Sequence, residues 1–171
     1  MAHNNRLSRL IKTTSKLPKG LRSTLWSRAF GRVVPMVGTA KIRYLEVTAS
    51  KVVVSMANHH IMQNHIGQIH ACAMTLLAET ATGFVTAMNV PQNAIVLIKS
   101  FKIDFKRPTQ GAMTAVATLS AEQQQMMQTS EKGETLVTVS VVDEPGEEPI
   151  QCEMLWLSLI HISEPTRQEA I

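Results

Sequence analysis

Acidic residues are missing from the start of this 171-residue chain: the first is Glu46, whereas ten of the 17 Lys and Arg residues stand at or before Arg43. The net charge of +4 therefore hides a basic beginning and an acidic remainder. A basic, acid-free start fits a transit peptide, a nucleic-acid arm, a membrane-surface helix or a docked amphipathic segment with a solvated basic face. Aromatic residues are scarce there, only Trp26 and Phe30, so the interleaving used for stacking on bases is absent and nucleic acid is not an expected partner. Cysteine is scarce too. Cys72 and Cys152 form neither a CxxC pair nor a zinc spacing, which excludes a disulfide framework and makes a reducing, cytoplasmic setting the default. No run approaches the ~18 apolar residues of a membrane span. What remains, 44% hydrophobic and 18% charged residues, is the composition of one globular domain with a real core.

Periodicity orders the chain. Leu7, Leu10, Ile11 and Leu17 alternate with Arg6, Arg9, Lys12 and Lys16, predicting a short amphipathic helix stopped by Pro18 and Gly20. A second helix runs from Leu21 to Phe30, and Pro35 and Gly38 mark the passage into a sheet. Strands are expected at 41–47, 51–57, 94–107, 112–122, 135–142 and 150–157, with 123–133 as a polar connection. The best strand signal is Ala94 to Arg107, whose length suits a central, curved strand.

The longest helical signal lies at 64–83. Ile69, Ala73, Leu76, Leu77, Thr80 and Phe84 make one stripe, while Ala71, Met74, Ala78 and Ala81 leave little polar surface, so this helix should be wrapped by the rest of the chain. Glu79 sits deep in it. A lone buried charge costs several kcal/mol or more unless it is paired, hydrogen-bonded or needed. Asn64 and Gly67 stand just ahead, so the helix entrance offers an amide and free backbone N–H groups. The structural reading is that Glu79 is a paired acid and Asn64 a helix cap.

Asn64-x-x-Gly67-x-x-His70, followed nine residues later by an acid on a small-residue helix, resembles the signature of hotdog-fold acyl-CoA thioesterases of the phenylacetate-pathway type. The resemblance covers roughly Val37 to Leu157, including the order of the strands. In that family His-Gly-Gly and Asp are usual; here His70-Ala71-Cys72 and Glu79 stand instead, as in a less characterised branch. The resemblance implies an α+β hotdog fold, an antiparallel curved sheet wrapped around one helix, with basic helices ahead of it at 1–36. It also implies a homodimer or dimer of dimers acting on an acyl-CoA or acyl-carrier thioester without a cofactor. Glu79 would be general base or nucleophile, and backbone N–H groups near His70 and Ala71 would hold the oxyanion. Asn64 would position carbonyl or water, with Gly67 beside it. A non-catalytic acyl-binding module and a hotdog hydratase or dehydratase are the alternatives.

Other constellations are weaker. His59, His60, His65 and His70 lack a Cys or carboxylate at tight spacing, and His65 and His70 are five apart where four would align two ligands, so no metal is expected. Lys99, Lys102, Lys106 and Arg107 are candidates for coenzyme A phosphates against the plainer reading of a solvated strand face. Cys72 is expected to be a small buried core residue. The stretch 158–168 resembles the conceptual translation of a sequencing adapter, so 158–171 is set apart from the 37–157 domain. Removing Ser163 to Ile171 should then change neither activity nor stability; a loss above about 2 kcal/mol in chemical denaturation would show that the tail docks.

Overall fold

The structure, a computed structural model, describes residues 5–130 and 132–160. Helices α1 (Arg6–Thr14), α2 (Lys19–Val33) and α3 (Pro35–Thr39) lead into strands β1 (Arg43–Val47) and β2 (Lys51–Met56). The long helix α4 (Ala71–Asn89) follows, then β3 (Ala94–Phe105), β4 (Met113–Thr118), α5 (Ala121–Thr129), β5 (Lys132–Asp143) and β6 (Ile150–Ile160). The six strands form one antiparallel sheet in the order β1-β2-β4-β5-β6-β3. Its curvature has a visible source. β5 pairs with β6 through Lys132–Val137 and with β4 through Thr138–Asp143, so the sheet changes partner halfway along one strand and curls around α4. This is the hotdog arrangement.

α4 is wrapped because eleven of its 19 residues are buried, among them Ala73, Leu77, Ala78, Ala81 and Val85 against the sheet. It is long and apolar enough to pass for a membrane span, but here it is the core helix of the sheet. Three of its buried polar residues are tied to backbone carbonyls: the Thr82 and Thr86 hydroxyls donate to Ala78 O and Thr82 O, and Asn89 Nδ2 donates to Val85 O and to Ala49 O in the β1–β2 turn.

The basic beginning is docked on this core. The Asn5 side chain caps α1 by accepting from Ser8 N and ties it to the end of α4 by donating to Ala87 O and Val90 O at 2.8 and 2.9 Å. Trp26 is buried and donates to Thr14 Oγ1, and the Arg22 guanidinium lies 5.0 Å from its ring, so α1 and α2 lock together. Tyr44 N donates to Ser27 Oγ, fastening α2 to β1.

Several expectations are corrected. α4 begins at Ala71, beyond Asn64 and Gly67, because those two residues make a tight turn of their own: Asn64 Oδ1 accepts from Ile66 N and Gln68 N, and Gly67 takes a φ of +76°. β3 is an edge strand, not a central one: among the described residues it pairs with β6 alone, and its Ile95, Leu97, Phe101 and Phe105 are exposed on the sheet faces. The polar connection at 123–133 contains α5, whose capping box pairs Ser120 Oγ with Gln123 N and Gln123 Oε1 with Ser120 N. Cys72 is exposed, since the second position of α4 faces away from the Ala73–Met74 side. β6 runs on past Leu157, pairing Ser158, Leu159 and Ile160 with Val96, Ile95 and Ala94; the remaining tail residues, including Ser163–Ile171, lie outside the described residues.

Gly83 shows how tightly α4 meets the sheet. A Cβ there would lie 2.6 Å from Trp156 Cη2, so the indole occupies the space a side chain would need. Helix propensity alone makes Gly83→Ala stabilising by about 1 kcal/mol. Overpacking costs about 1–3 kcal/mol and should win, lowering the denaturation midpoint; a variant more stable than the parent would show that Trp156 moves aside freely.

Candidate active site

Glu79, Thr80, Gly83, Phe84 and Ala87 fall within about 140° of one another around α4 and form a single face. That face is the floor of a cavity of about 790 Å3. Val96 of β3 and Trp156 of β6 close one side, Tyr44 and Phe30 another, and Leu7, Leu10, Val33 and Val34 of the N-terminal helices form the roof. Phe30, Tyr44 and Phe84 pack as a trio with ring centroids 4.5 to 4.9 Å apart. The lining is apolar almost throughout. Among the described residues, its one carboxylate is Glu79.

The Glu79 side chain makes no hydrogen bond or ion pair among the described residues of the single chain. Burial pushes its pKa above the ordinary glutamate value, because the charged form has lost water without gaining a partner. The Tyr44 hydroxyl is driven upward as well, first by burial and then by the nearby Glu79 charge, so it remains a protonated phenol. Thr80 Oγ1 and Trp156 Nε1, in residues 6% and 5% exposed, are buried without a hydrogen-bond partner among the described residues.

The helix entrance forms a different cavity. His70 is the N-cap of α4, its Nδ1 accepting from Cys72 N at 3.1 Å, which places its own proton on Nε2. His70, Cys72, Ala73 and Leu76 line a hollow of about 320 Å3 with Met36 and Ile61. Within one chain, then, Glu79 is brought together with Tyr44, Thr80 and Trp156, and not with Asn64, Gly67, His70 or Ala71. Ala71 and Glu79 are eight residues apart on one helix, ~12 Å along its axis.

None of the basic candidates lines the Glu79 cavity. Lys99 pairs with Glu134 at 2.6 Å, and Lys102 approaches Asp104 at 3.9 Å, both on the surface. Arg107 has a structural post: its Nη2 donates to the buried Asp143 at 2.8 Å. Burial pushes the Asp143 carboxyl upward, but the Gln110 N–H, Arg107 and the Glu147 N–H together hold it below the usual range. Sequence reasoning misses Tyr44, Thr80, Phe84 and Trp156. The i, i+1, i+4, i+5, i+8 face counted from Glu79 carries part of that signal, while Tyr44 and Trp156 arrive from strands whose register no local pattern reveals.

A family described as a domain of unknown function, DUF4442, matches residues 22–157. The chain belongs to the DUF4442 family. This DUF4442 chain resembles, in fold, a probable thioesterase from Pseudomonas aeruginosa, with 24% identity, a TM-score of 0.72, and coverage of 85% of this chain and 97% of that one. A thioesterase family protein from Silicibacter pomeroyi aligns with 19% identity and a TM-score of 0.65 over 79% of this chain and 96% of the other. The E. coli PaaI protein of the phenylacetic acid degradation operon gives 18% identity and a TM-score of 0.60 over 76% and 88% of the two chains. No curated protein matches at a significant level. Helix α1 precedes the residues that the family shares.

The raised Glu79 pKa has a sign that can be tested. A carboxyl whose folded pKa lies above its unfolded value costs stability once pH rises through that range, and costs nothing below it. Glu79→Gln should therefore melt at a higher temperature than the parent at pH 7, with the advantage shrinking toward pH 4. A parent at least as stable as the variant at pH 7 would mean that Glu79 has a compensating partner.

Proposed function

We propose that this chain hydrolyses acyl thioesters, of coenzyme A or of an acyl carrier, as a homodimer with sites shared between subunits. The observation that carries this is a single unpaired, desolvated carboxylate on the floor of a large apolar cavity. A raised pKa makes Glu79 a stronger base near neutral pH. It takes a proton from water, and the water oxygen attacks the thioester carbonyl. The tetrahedral oxyanion is held by N–H groups at the start of α4, and collapse expels the thiolate, which recovers the proton from Glu79. Direct attack by the carboxylate, through an anhydride that water then opens, uses the same groups.

One chain does not supply both halves. A reacting carbon needs base and oxyanion donors within about 3–3.5 Å, and the ~12 Å between Ala71 and Glu79 is too far. Two antiparallel α4 helices side by side bring the entrance of one to the middle of the other. The β3 edge, twelve residues long and with Ile95, Leu97, Phe101 and Phe105 exposed, favours such a dimer, because the open backbone donors and acceptors of a long edge invite strand pairing. In this reading Asn64, His70 and the Ala71 N–H of one subunit face Glu79 of the other, with Gly67 shaping the turn. Cytoplasmic placement rests on the two unpaired cysteines. Lys99 and Lys102, on the surface of β3, remain the candidates for coenzyme A phosphates.

Glu79→Gln should abolish thiol release from an acyl-CoA panel while leaving the dimer intact; turnover within about threefold of the parent removes Glu79 from this role. Mixing Glu79→Gln with Asn64→Ala under subunit exchange should restore up to about a quarter of parental activity, since half the dimers are mixed and each has one intact site. Exchange confirmed by mass spectrometry without recovered activity would sink the shared site. Binding of acyl-CoA with no thiol release by the parent would favour the non-catalytic acyl-binding reading.

A further inference from the structure

We infer that the cavity beside Glu79 is a receptacle for a straight acyl tail of about ten to fourteen carbons, and that the N-terminal helices α1 and α2 make it one. This rests on Glu79 marking the thioester end, and it specifies the substrate class of that same site.

Length comes first. The cavity follows α4 from Glu79 to Ala87, eight residues or ~12 Å. A neighbouring hollow of about 320 Å3 shares Arg6, Leu7, Ala87 and Val96 with it and carries the trough on to Val90, three residues further. An extended chain advances ~1.2 Å per bond, since a three-bond residue spans ~3.5 Å, so ~12 to 16 Å accommodates about ten to fourteen carbons. A compact aromatic acyl group would fill only the Glu79 end.

Shape and polarity agree. Beyond Glu79 the floor is Thr80, Gly83, Phe84 and Ala87; the Trp156 indole packs onto Gly83, and the small Ala87 leaves the far end of the cavity open beneath the roof. Among the described residues, no carboxylate other than Glu79 lines either hollow, and the one charge at the far end is Arg6, exposed at the rim. The head thus carries the carboxylate and the middle is apolar, with Asn5, Arg6 and Gln92 polar at the far mouth.

The roof is what the sheet alone would not provide. Leu7 and Leu10 come from α1, and Val33 and Val34 from the end of α2; without them the Glu79 face of α4 would lie open to water. Leu10 and Val33 are still 44% and 78% exposed, so the roof holds apolar surface available to a ligand. Asn5 fixes its far end by bonding Ala87 O and Val90 O, the carbonyls beside which the trough ends.

The test uses the Glu79→Gln protein and calorimetric titration with hexanoic, octanoic, decanoic, dodecanoic and hexadecanoic acids. Affinity should rise about fourfold per methylene, the value for burying one CH2, and level off between ten and fourteen carbons. Ala87→Phe should move the plateau to shorter acids. Leu10→Trp, on an exposed position that folding tolerates, should move it as well. Affinity independent of length, or a plateau unmoved by both variants, would overturn the receptacle. Hydrolysis of butyryl- and dodecanoyl-CoA by the parent is measured alongside. A length series that holds without hydrolysis supports the receptacle and overturns the thioesterase reading, whereas hydrolysis with a flat length series does the reverse.

Discussion

The constraint on which the rest depends is that α4 carries apolar or small residues on nearly every side, so no single neighbour can cover it. The curved sheet takes the face of Ala73, Leu77, Ala78, Ala81 and Val85. Removing that apolar surface from water stabilises the fold at ~25 cal/mol per Å2, and covering it on a rounded helix requires the sheet to curl. Curling is possible because β5 changes partners halfway along its length. The other face, from Glu79 to Ala87, is left to α1 and α2. Their docking fits the charge asymmetry: Ile11, Trp26 and Phe30 of the basic segment are buried against the domain, while its Lys and Arg residues other than Arg22, which packs on Trp26, are exposed.

Much of the fold is legible in the sequence, and the misses share a cause. α4, the two N-terminal helices and six strands follow from period and punctuation. Spacing misplaces the start of α4 because Asn64 and Gly67 are good helix-entrance residues and also good turn residues; the chain uses them as a turn, and His70, a less common cap, starts the helix. β3 reads as central because length and alternation describe a strand, not its neighbours. Strand order is a long-range property, and it is the pairing with β6 alone, among the described residues, that shows the open edge. The site is half legible. Glu79 announces itself as a charge in an apolar helix, but Tyr44 and Trp156 reach it from strands separated in sequence by more than the length of α4.

The buried polar groups around α4 divide by side. Thr82, Thr86 and Asn89, away from the cavity, are all hydrogen-bonded to backbone carbonyls. On the cavity side, among the described residues, the Glu79 carboxylate is unpaired, and Thr80 Oγ1 and Trp156 Nε1 are buried without partners. An unsatisfied buried polar group costs about 1–3 kcal/mol, and the same helix avoids that cost a turn away. Buried unpaired atoms also occur on Arg22, Ser23, Asn58 and Thr109, outside α4; within α4 the described residue that holds one, Thr80, lies on the Glu79 face, and this sets the two sides of the helix apart. One side holds the fold together, and the other keeps room and polarity for something the chain does not itself contain.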